Sequence, residues 1–145
     1  VIGDGPYKSE LQSLARRYQI DERVQFFGEL PVSQIGALVG RCHLHVLISN
    51  APNGESFGRC FAEAALSGTI SIGSDSYGTR ASIIEPSTGF RLLSMVPEDL
   101  AHKIAGFVDD PDSLPNSRLC RATGLSAFST EAVALRLRDL IYDRI

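Results

Sequence analysis

The spacing of apolar residues changes repeatedly along the chain, and these changes predict an α/β fold. Short apolar runs typical of buried strands occupy residues 1–2, 24–27, 44–49, 69–73 and 90–93. Apolar residues recur every three to four positions in the segments between them, which predicts helices near 6–18, 32–40 and 97–108. A short helix should follow from about Leu114, and Ser129 should cap a final one. Because strands alternate with helices, we expect a parallel, Rossmann-like sheet flanked by helices.

The pattern also predicts which residues are buried and where some elements end. The first helix should bury one face, formed by Leu11, Leu14, Ala15 and Tyr18. Residues 44–48 read as a buried strand, and residues 74–79 read as a flexible, turn-rich loop. Gly68 should end the helix that precedes it as a C-cap glycine.

The segment from 53 to 64 carries the chemistry that singles the chain out. Glu55 and Glu63 have seven residues between them, and Phe57, Phe61 and Ala64 recur at helical spacing. This places Glu55 at a strand-to-helix turn and Glu63 about two turns into the helix. We expect unpaired N–H groups at residues 57–59, where the helix begins.

Such a helix start favours an anion, and a phosphate group is the natural candidate. Gly58 would let a ligand approach the backbone closely. The two carboxylates would repel a phosphate, but they can accept hydrogen bonds from neutral sugar hydroxyls nearby. One phosphate seat flanked by two hydroxyl acceptors describes a sugar nucleotide. Spacing alone favours an amphipathic helix with two solvated glutamates, since helix starts favour acidic residues.

Composition excludes several other classes of protein. The chain has 145 residues, which suits one domain, and a net charge of −3 without a long basic run gives no support for nucleic-acid binding. No apolar stretch approaches the roughly 18 residues of a membrane span. Three widely spaced cysteines argue against a disulfide framework and fit a reducing compartment. His43 and His45 share a strand face, but without acidic or cysteine neighbours they do not predict a metal site.

The segment from Glu55 to Ala64 resembles the E-x7-E signature of retaining GT-B-fold glycosyltransferases, the glycosyl transferases group 1 family. Further motifs similar to those of the family occur in the right order and cover nearly the whole chain. They are residues 1–6 (VIGDGP), 24–28 (VQFFG), 44–49 (LHVLIS), 65–72 (ALSGTISI), 88–92 (TGFRL) and 128–129 with the final helix. The resemblance departs at residues 74–81, where Tyr77-Gly78 replaces a glycine pair and Ala81 lies near the position of a glutamate.

The resemblance implies a role for each candidate residue. The family's reaction transfers a sugar from a nucleotide diphosphate sugar to an acceptor hydroxyl with retention. Glu55 would be the catalytic-site residue that holds a hydroxyl of the donor sugar, and Glu63 would bind the ribose. The backbone of Phe57, Gly58, Arg59 and Cys60 would meet the distal phosphate. Arg59 departs from the aliphatic residue that the family prefers; a further phosphate contact from its side chain is the alternative, and we expect the side chain to point to solvent. Leu30, in the loop after Gly28, would meet the nucleotide base, and no metal or other cofactor is implied.

The resemblance also implies that residues 1–145 are a partial nucleotide-sugar-binding domain, the C-terminal half of a GT-B fold. The expected first strand of that half, which carries basic residues, and the N-terminal acceptor domain of the same protein would be missing. The chain alone should then be inactive. The acceptor would be a glycan, a lipid or a small molecule. The family and the reduced cysteines together imply a cytoplasmic location, extending to the inner membrane face.

Three alternatives remain open from the sequence. A GT-B-type sugar-nucleotide epimerase or phosphorylase keeps the fold and changes the reaction. A non-catalytic α/β binding domain keeps the phosphate seat alone, although such a domain would be free to lose Glu55 and Glu63. An NAD-dependent oxidoreductase is disfavoured, because Lys8 stands where the third glycine of a dinucleotide-binding motif should be.

Overall fold

The computed structural model describes residues 1–49 and 56–142. The chain divides into two compact units, Val1–Ile35 and Gly36–Ile145, which we call unit 1 and unit 2. The boundary falls inside a helix, α2 (Val32–Val39), whose position agrees with the apolar pattern. The proposal that residues 1–145 form one nucleotide-sugar-binding domain stays a prediction.

Unit 1 contains one long helix and a short stretch of paired backbone. Helix α1 (Lys8–Arg17) is followed by a 3₁₀ turn at Asp21–Arg23. The predicted strand at 24–27 is wrong as a regular strand, since only isolated bridges join Ile2 and Gly3 to Gly28. The paired stretch is short, with backbone hydrogen bonds from Phe27 N–H to Val1 and from Gly3 N–H to Gly28.

The apolar face of α1 is less covered than its periodicity predicted. Ala15 is buried, but Leu11, Leu14 and Tyr18 are 45%, 42% and 62% exposed. The prediction of a buried face is therefore wrong for these three residues. Helical spacing shows that apolar residues share a face, but it does not show that another element packs on that face.

Unit 2 is built around a parallel sheet. Among the described residues, strands β1 (Leu44–Leu47), β2 (Ile70–Ser74) and β3 (Gly89–Leu92) lie in the order β1-β2-β3. In the register, Leu44 lies opposite Ile70, and Ile72 lies opposite Phe90. All of β2 is buried, as expected for the central strand of a parallel sheet.

Strand β1 forms where the sequence predicted it, but the prediction that it is buried is wrong. Leu44 and His45 are half-buried, whereas Val46 and Leu47 are 39% and 38% exposed. The cause is its position at the edge of the sheet, since β2 is its one strand neighbour among the described residues.

Helices connect and flank these strands. They are α3 (Arg59–Ser67), α4 (Tyr77–Ser82), α5 (Pro97–Asp109), α6 (Ser117–Phe128) and α7 (Thr130–Tyr142), with a 3₁₀ turn at Pro111–Ser113. Gly68 ends α3 in the left-handed conformation (φ 82°), so its prediction as a C-cap glycine is confirmed. Ser129 caps α7 as predicted, since its Oγ accepts the Ala132 N–H at 3.1 Å.

The core of unit 2 lies between the sheet and helices α3 and α6. Ala65, Ile70 and Cys120 are buried at its centre, with Leu44, Phe90, Leu114 and Phe128 packed around them. Burial raises the pKa of the Cys120 thiol to about 11, so this side chain is a core residue and not a reactive thiolate.

Helix α4 corrects the prediction of a flexible loop at residues 74–79. Ser76 and Thr79 form a capping box, in which the Ser76 Oγ accepts the Thr79 N–H and the Thr79 Oγ1 accepts the Ser76 N–H. The Thr79 hydroxyl also donates to the Ser74 carbonyl at 2.7 Å. These hydrogen bonds order the helix, which could not be predicted from apolar periodicity because the segment has none.

Candidate functional site

The carboxyl ends of β1 and β2 are joined by one serine side chain. Ser74, the last residue of β2, accepts the Ser49 N–H at 3.0 Å and donates to the Ser49 carbonyl at 3.1 Å. This fixes the point at which the chain leaves β1. In open parallel sheets, ligands bind beyond this edge, where the strands end.

The start of α3 is shaped by a glycine that no other residue could replace without rearrangement. Gly58 is the buried N-cap of the helix. A Cβ at this position would lie 2.4 Å from Cδ2 of the buried Phe61 and 2.9 Å from Oγ of Ser82 in α4. The packing of Phe61, in the same helix, and of Ser82 in α4 therefore sets the identity of this residue.

The expected set of unpaired N–H groups is wrong for Gly58 and Arg59. The Arg59 N–H donates to the Phe57 carbonyl at 2.8 Å, within a tight turn. The Gly58 N–H faces the Gly78 carbonyl of α4 at 3.5 Å. The second contact is at the long limit for an N–H···O hydrogen bond, so it is a weak one. The sequence could not reveal it, because Gly78 is brought there by tertiary packing.

Glu63 lies on the outer face of α3, in the second turn of the helix. Its side chain is 44% exposed, and its Oε1 lies 3.4 Å from Nη2 of Arg59, one turn earlier. The Arg59 side chain is 81% exposed. The expectation that it points to solvent is confirmed, with the addition that its guanidinium reaches back to Glu63.

The remaining predicted site residues are Phe57, Cys60, Leu30 and Glu55. The Phe57 ring is 40% exposed and packs edge-on against Phe128, with 6.1 Å between ring centroids. Cys60, in the first turn of α3, is partly buried. Leu30 is half-buried in unit 1, in the loop before α2. Glu55 lies outside the described residues, so its role stays a prediction.

A network of charged residues at the same edge of the sheet was missed by the sequence analysis. Asp75, directly after β2, accepts two hydrogen bonds from Arg80, at 2.9 Å and 2.6 Å. Arg91 on β3 contacts both acids: its Nη1 lies 3.6 Å from Oδ1 of Asp75, and its Nη2 lies 2.7 Å from Oε2 of Glu85. The sequence did contain a signal for this network, because two acids and two arginines occur around the end of β2 and the start of β3.

The network shifts the pKa of each member in the direction that favours its charge. Hydrogen bonds from Arg80 lower the pKa of Asp75, and hydrogen bonds from Arg91 lower the pKa of Glu85. The same contacts raise the pKa of both arginines. Arg91 Nε is buried and lacks a hydrogen-bond partner among the described residues. The network therefore holds the loop after β2 against β3 in a fully charged state.

The described residues contain neither a metal-binding cluster nor a membrane-spanning helix. In the part of the chain that the structure describes, no three His, Cys, Asp or Glu side chains gather in a way that could hold a metal ion. His45 instead contacts the Ser71 Oγ at 3.1 Å, and burial lowers its pKa. None of the helices within residues 1–49 and 56–142 has both the length and the apolar character of a membrane span.

Comparison with known proteins shows which family of sequences the chain matches. The sequence model of the family described as "Glycosyl transferases group 1" matches residues 1–121. A glycogen synthase of Mycobacterium tuberculosis is 30% identical over 138 residues, which cover 92% of this chain and 32% of that protein. The chain thus spans about a third of the length of this curated relative.

Solved structures share the fold. Anabaena HepE in complex with UDP and glucose superposes with a TM-score of 0.82 at 23% identity, covering 98% of this chain and 39% of that one. Sucrose-phosphate synthase from Thermosynechococcus elongatus gives 0.78 at 23% identity, covering 98% and 37%. The predicted fold, a Rossmann-like parallel sheet from the C-terminal half of a GT-B fold, is confirmed by these likenesses.

Proposed function

Because the chain belongs to the glycosyl transferases group 1 family, we propose that it forms the donor-binding part of an enzyme that transfers a sugar from a nucleotide diphosphate sugar. The acceptor is a hydroxyl group of a glycan, a lipid or a small molecule, and the anomeric configuration is retained. The reaction breaks the bond between the anomeric carbon and the diphosphate and forms one to the acceptor oxygen. The nucleoside diphosphate is the leaving group.

The position of Glu63 carries the proposal. Its side chain lies on the outer face of α3 and is 44% exposed, and its carboxylate makes a weak surface ion pair with Arg59. A carboxylate of this kind can exchange Arg59 for the two hydroxyls of a ribose at little cost. The relatives support the ligand class, since HepE was solved with UDP and glucose.

The start of α3 is the proposed seat of the distal phosphate. The long contact between the Gly58 N–H and the Gly78 carbonyl is easily replaced, because a charged phosphate oxygen is a stronger acceptor than a carbonyl. The helix dipole favours the negative charge that develops on the leaving diphosphate. The backbone of Phe57 and Cys60 completes this seat, and Leu30 meets the base. The Arg59 N–H joins it only by giving up its 2.8 Å hydrogen bond to the Phe57 carbonyl.

Glu55 has the remaining role, which is to hold a hydroxyl of the transferred sugar. Its place, eight residues before Glu63 in the sequence, puts it ahead of the turn into α3. A residue that holds the sugar, and not the nucleotide, should matter more for turnover than for nucleotide affinity. This distinguishes its role from that of Glu63.

The test is a product assay on the whole protein that contains this chain, with UDP-, GDP- and ADP-sugars and an acceptor mixture. We expect one nucleoside diphosphate to be released in step with a glycoside of retained configuration. Glu55→Gln should abolish the product while nucleotide binding changes less than about threefold. Formation of an epimerised sugar nucleotide or of a free sugar phosphate would contradict sugar transfer and support one of the alternatives.

A further inference from the structure

A second groove in unit 2 lies at the end of the sheet away from the proposed donor site. It has a volume of about 430 Å³. Its walls come from the residues just before β1, from the turn between α3 and β2, and from the start of α6. These are the amino ends of the strands, whereas Ser49, Ser74 and Asp75 mark their carboxyl ends.

The charge of this groove is opposite to that of the chain as a whole. Arg41, Arg118 and Arg121 line it, together with His43, and no Asp or Glu is among the lining residues. The whole chain carries a net charge of −3. The groove is therefore a local concentration of positive charge on an acidic protein.

These arginines differ from the other arginines of unit 2. Arg59, Arg80, Arg91 and Arg138 each pair with a carboxylate, and Arg136 donates to the Ala127 carbonyl. Within residues 36–49 and 56–142, the three arginines whose guanidinium groups have neither an ion pair nor a hydrogen bond all line this groove. Among these described residues, four of the other five arginines have a carboxylate partner, and the three in the groove have none.

The backbone holds the groove in a fixed shape. Asn116 caps α6 by accepting the Arg118 N–H at 2.8 Å, so the helix start is already satisfied and the side chains provide the charge. Arg118 and Arg121 are three residues apart and lie on one face of α6. A Cβ on Gly68 would lie 3.1 Å from the Ser117 carbonyl, which shows how closely the turn after α3 approaches α6.

We propose that this groove binds a small soluble phosphate ester, at a site separate from the nucleotide-sugar site. Guanidinium groups bind phosphate oxygens in a two-pronged geometry, and three of them suit a dianion. Leu114, Pro115 and Ile70 add an apolar wall against which the carbon-bearing part of the ligand packs. The volume falls in the range of small-molecule sites, and a concave groove suits a small ligand better than a flat membrane surface.

The experiment is an amide NMR titration of the chain with glycerol 3-phosphate, and separately with inorganic pyrophosphate, at constant ionic strength. We expect the shifts to gather at residues 40–43, 67–70 and 114–121. We expect pyrophosphate to shift residues at the start of α3 as well, and the residue-level readout separates the two sites. Shifts confined to 56–63, or spread over the surface, would overturn the proposal.

Variants that remove arginine charges are the second part of the experiment, and they test whether the groove arginines bind the phosphate. Arg118→Gln with Arg121→Gln should weaken glycerol 3-phosphate binding at least about tenfold. The matched control is Arg16→Gln with Arg23→Gln, which removes the same charge from unit 1 and should leave the affinity within about twofold. Equal losses in both double variants would show a general charge effect and overturn the site. If the α6 variant fails to fold, Arg41→Gln, outside any helix, should still weaken binding about threefold.

A third arm separates a soluble ligand from a lipid headgroup. Vesicles of phosphatidylglycerol and of phosphatidylcholine are sedimented with the chain and with the α6 double variant. We expect no sedimentation that depends on Arg118 and Arg121. Vesicle binding that these arginines control, with no shifts from glycerol 3-phosphate, would contradict the proposal and make the groove a membrane contact.

Discussion

Arg59 Nη2 lies 3.4 Å from Glu63 Oε1, across one turn of α3. The arginine side chain is 81% exposed and the glutamate side chain 44%, so water competes with the pair. An exposed pair at this spacing contributes at most a few tenths of a kcal/mol to helix stability. Arg59 thus contacts the proposed ribose-binding carboxylate only weakly, and a ligand can replace the arginine.

Removal of Arg59 should free this carboxylate. For Arg59→Ala we predict nucleoside diphosphate affinity that is unchanged or up to about threefold tighter, because no ion pair has to be broken on binding. The free energy of unfolding should change by less than about 0.5 kcal/mol. Calorimetric titration and urea unfolding measure the two quantities. A tenfold loss of affinity would instead assign the guanidinium to the donor's phosphates.

Removal of the Glu63 carboxylate should have the opposite effect on binding. Glu63→Gln loses the charged acceptor of the ribose hydroxyls, and each such hydrogen bond contributes roughly 1.5–3 kcal/mol. We predict at least tenfold weaker binding of the preferred nucleoside diphosphate with an unchanged unfolding midpoint. Glu98→Gln, on the exposed first turn of α5, is the control and should bind like the unaltered chain. Unchanged affinity for Glu63→Gln would remove Glu63 from the site.

Gly58 should not tolerate a side chain. In Gly58→Ala the new methyl group meets Phe61 and Ser82 at 2.4 Å and 2.9 Å, and Phe61 is held in the core. Overpacking of this kind costs about 1–3 kcal/mol of unfolding free energy.

The control for this change is Gly106→Ala, in the interior of α5, where nothing lies within 4 Å of an added Cβ. It should stabilise the chain by up to about 1 kcal/mol, because alanine is the better helix former. Chemical unfolding of both variants gives the comparison. Equal effects of the same sign would contradict the close packing of Phe61 and Ser82 around Gly58.

The network after β2 predicts how stability depends on pH. Asp75 and Glu85 have lowered pKa values in the folded chain, against ordinary values of 3.8 and 4.5. Their contribution is therefore fully present above these ordinary values and is lost as the pH falls through the folded-state values. The free energy of unfolding should be steady from pH 7 to about 5 and fall below about pH 4.5.

Substitution identifies the groups responsible. Glu85→Gln should lower stability at pH 7 and make the decline in acid shallower, because one of the two paired carboxylates no longer titrates. Glu98→Gln, which forms no ion pair with any described residue, should leave the decline intact. The same acid decline in both variants would mean that the network does not govern it.

Elements with a local signal could be read from the sequence. Pro97 begins α5 where proline tolerates the first helical position, and Gly68 and Ser129 mark helix ends through their own conformational and capping preferences. Helix α4 was missed because a capping box at Ser76 and Thr79 orders it, without any apolar repeat. Helix positions could thus be predicted where the apolar repeat and the capping residues indicated the same boundaries.

Properties that depend on distant parts of the chain could not be read in this way. The exposure of Val46 follows from the position of β1 at the sheet edge, which no local pattern records. The Gly78 carbonyl that meets the Gly58 N–H arrives by packing of α4 on α3. The place of Glu63 on α3 was predictable from helical spacing, but its pairing with Arg59 depends on side-chain conformation.

The central claim is that the start of α3 and Glu63 form a nucleoside diphosphate site, and an amide NMR titration of the chain with UDP, GDP and ADP tests it most directly. We predict that one nucleotide shifts the resonances of residues 57–63 and that Glu63→Gln removes most of this response. The Arg118→Gln and Arg121→Gln double variant should retain it, so the two proposed sites are tested apart. A folded chain whose residues 57–63 respond to none of the three nucleotides would contradict the account.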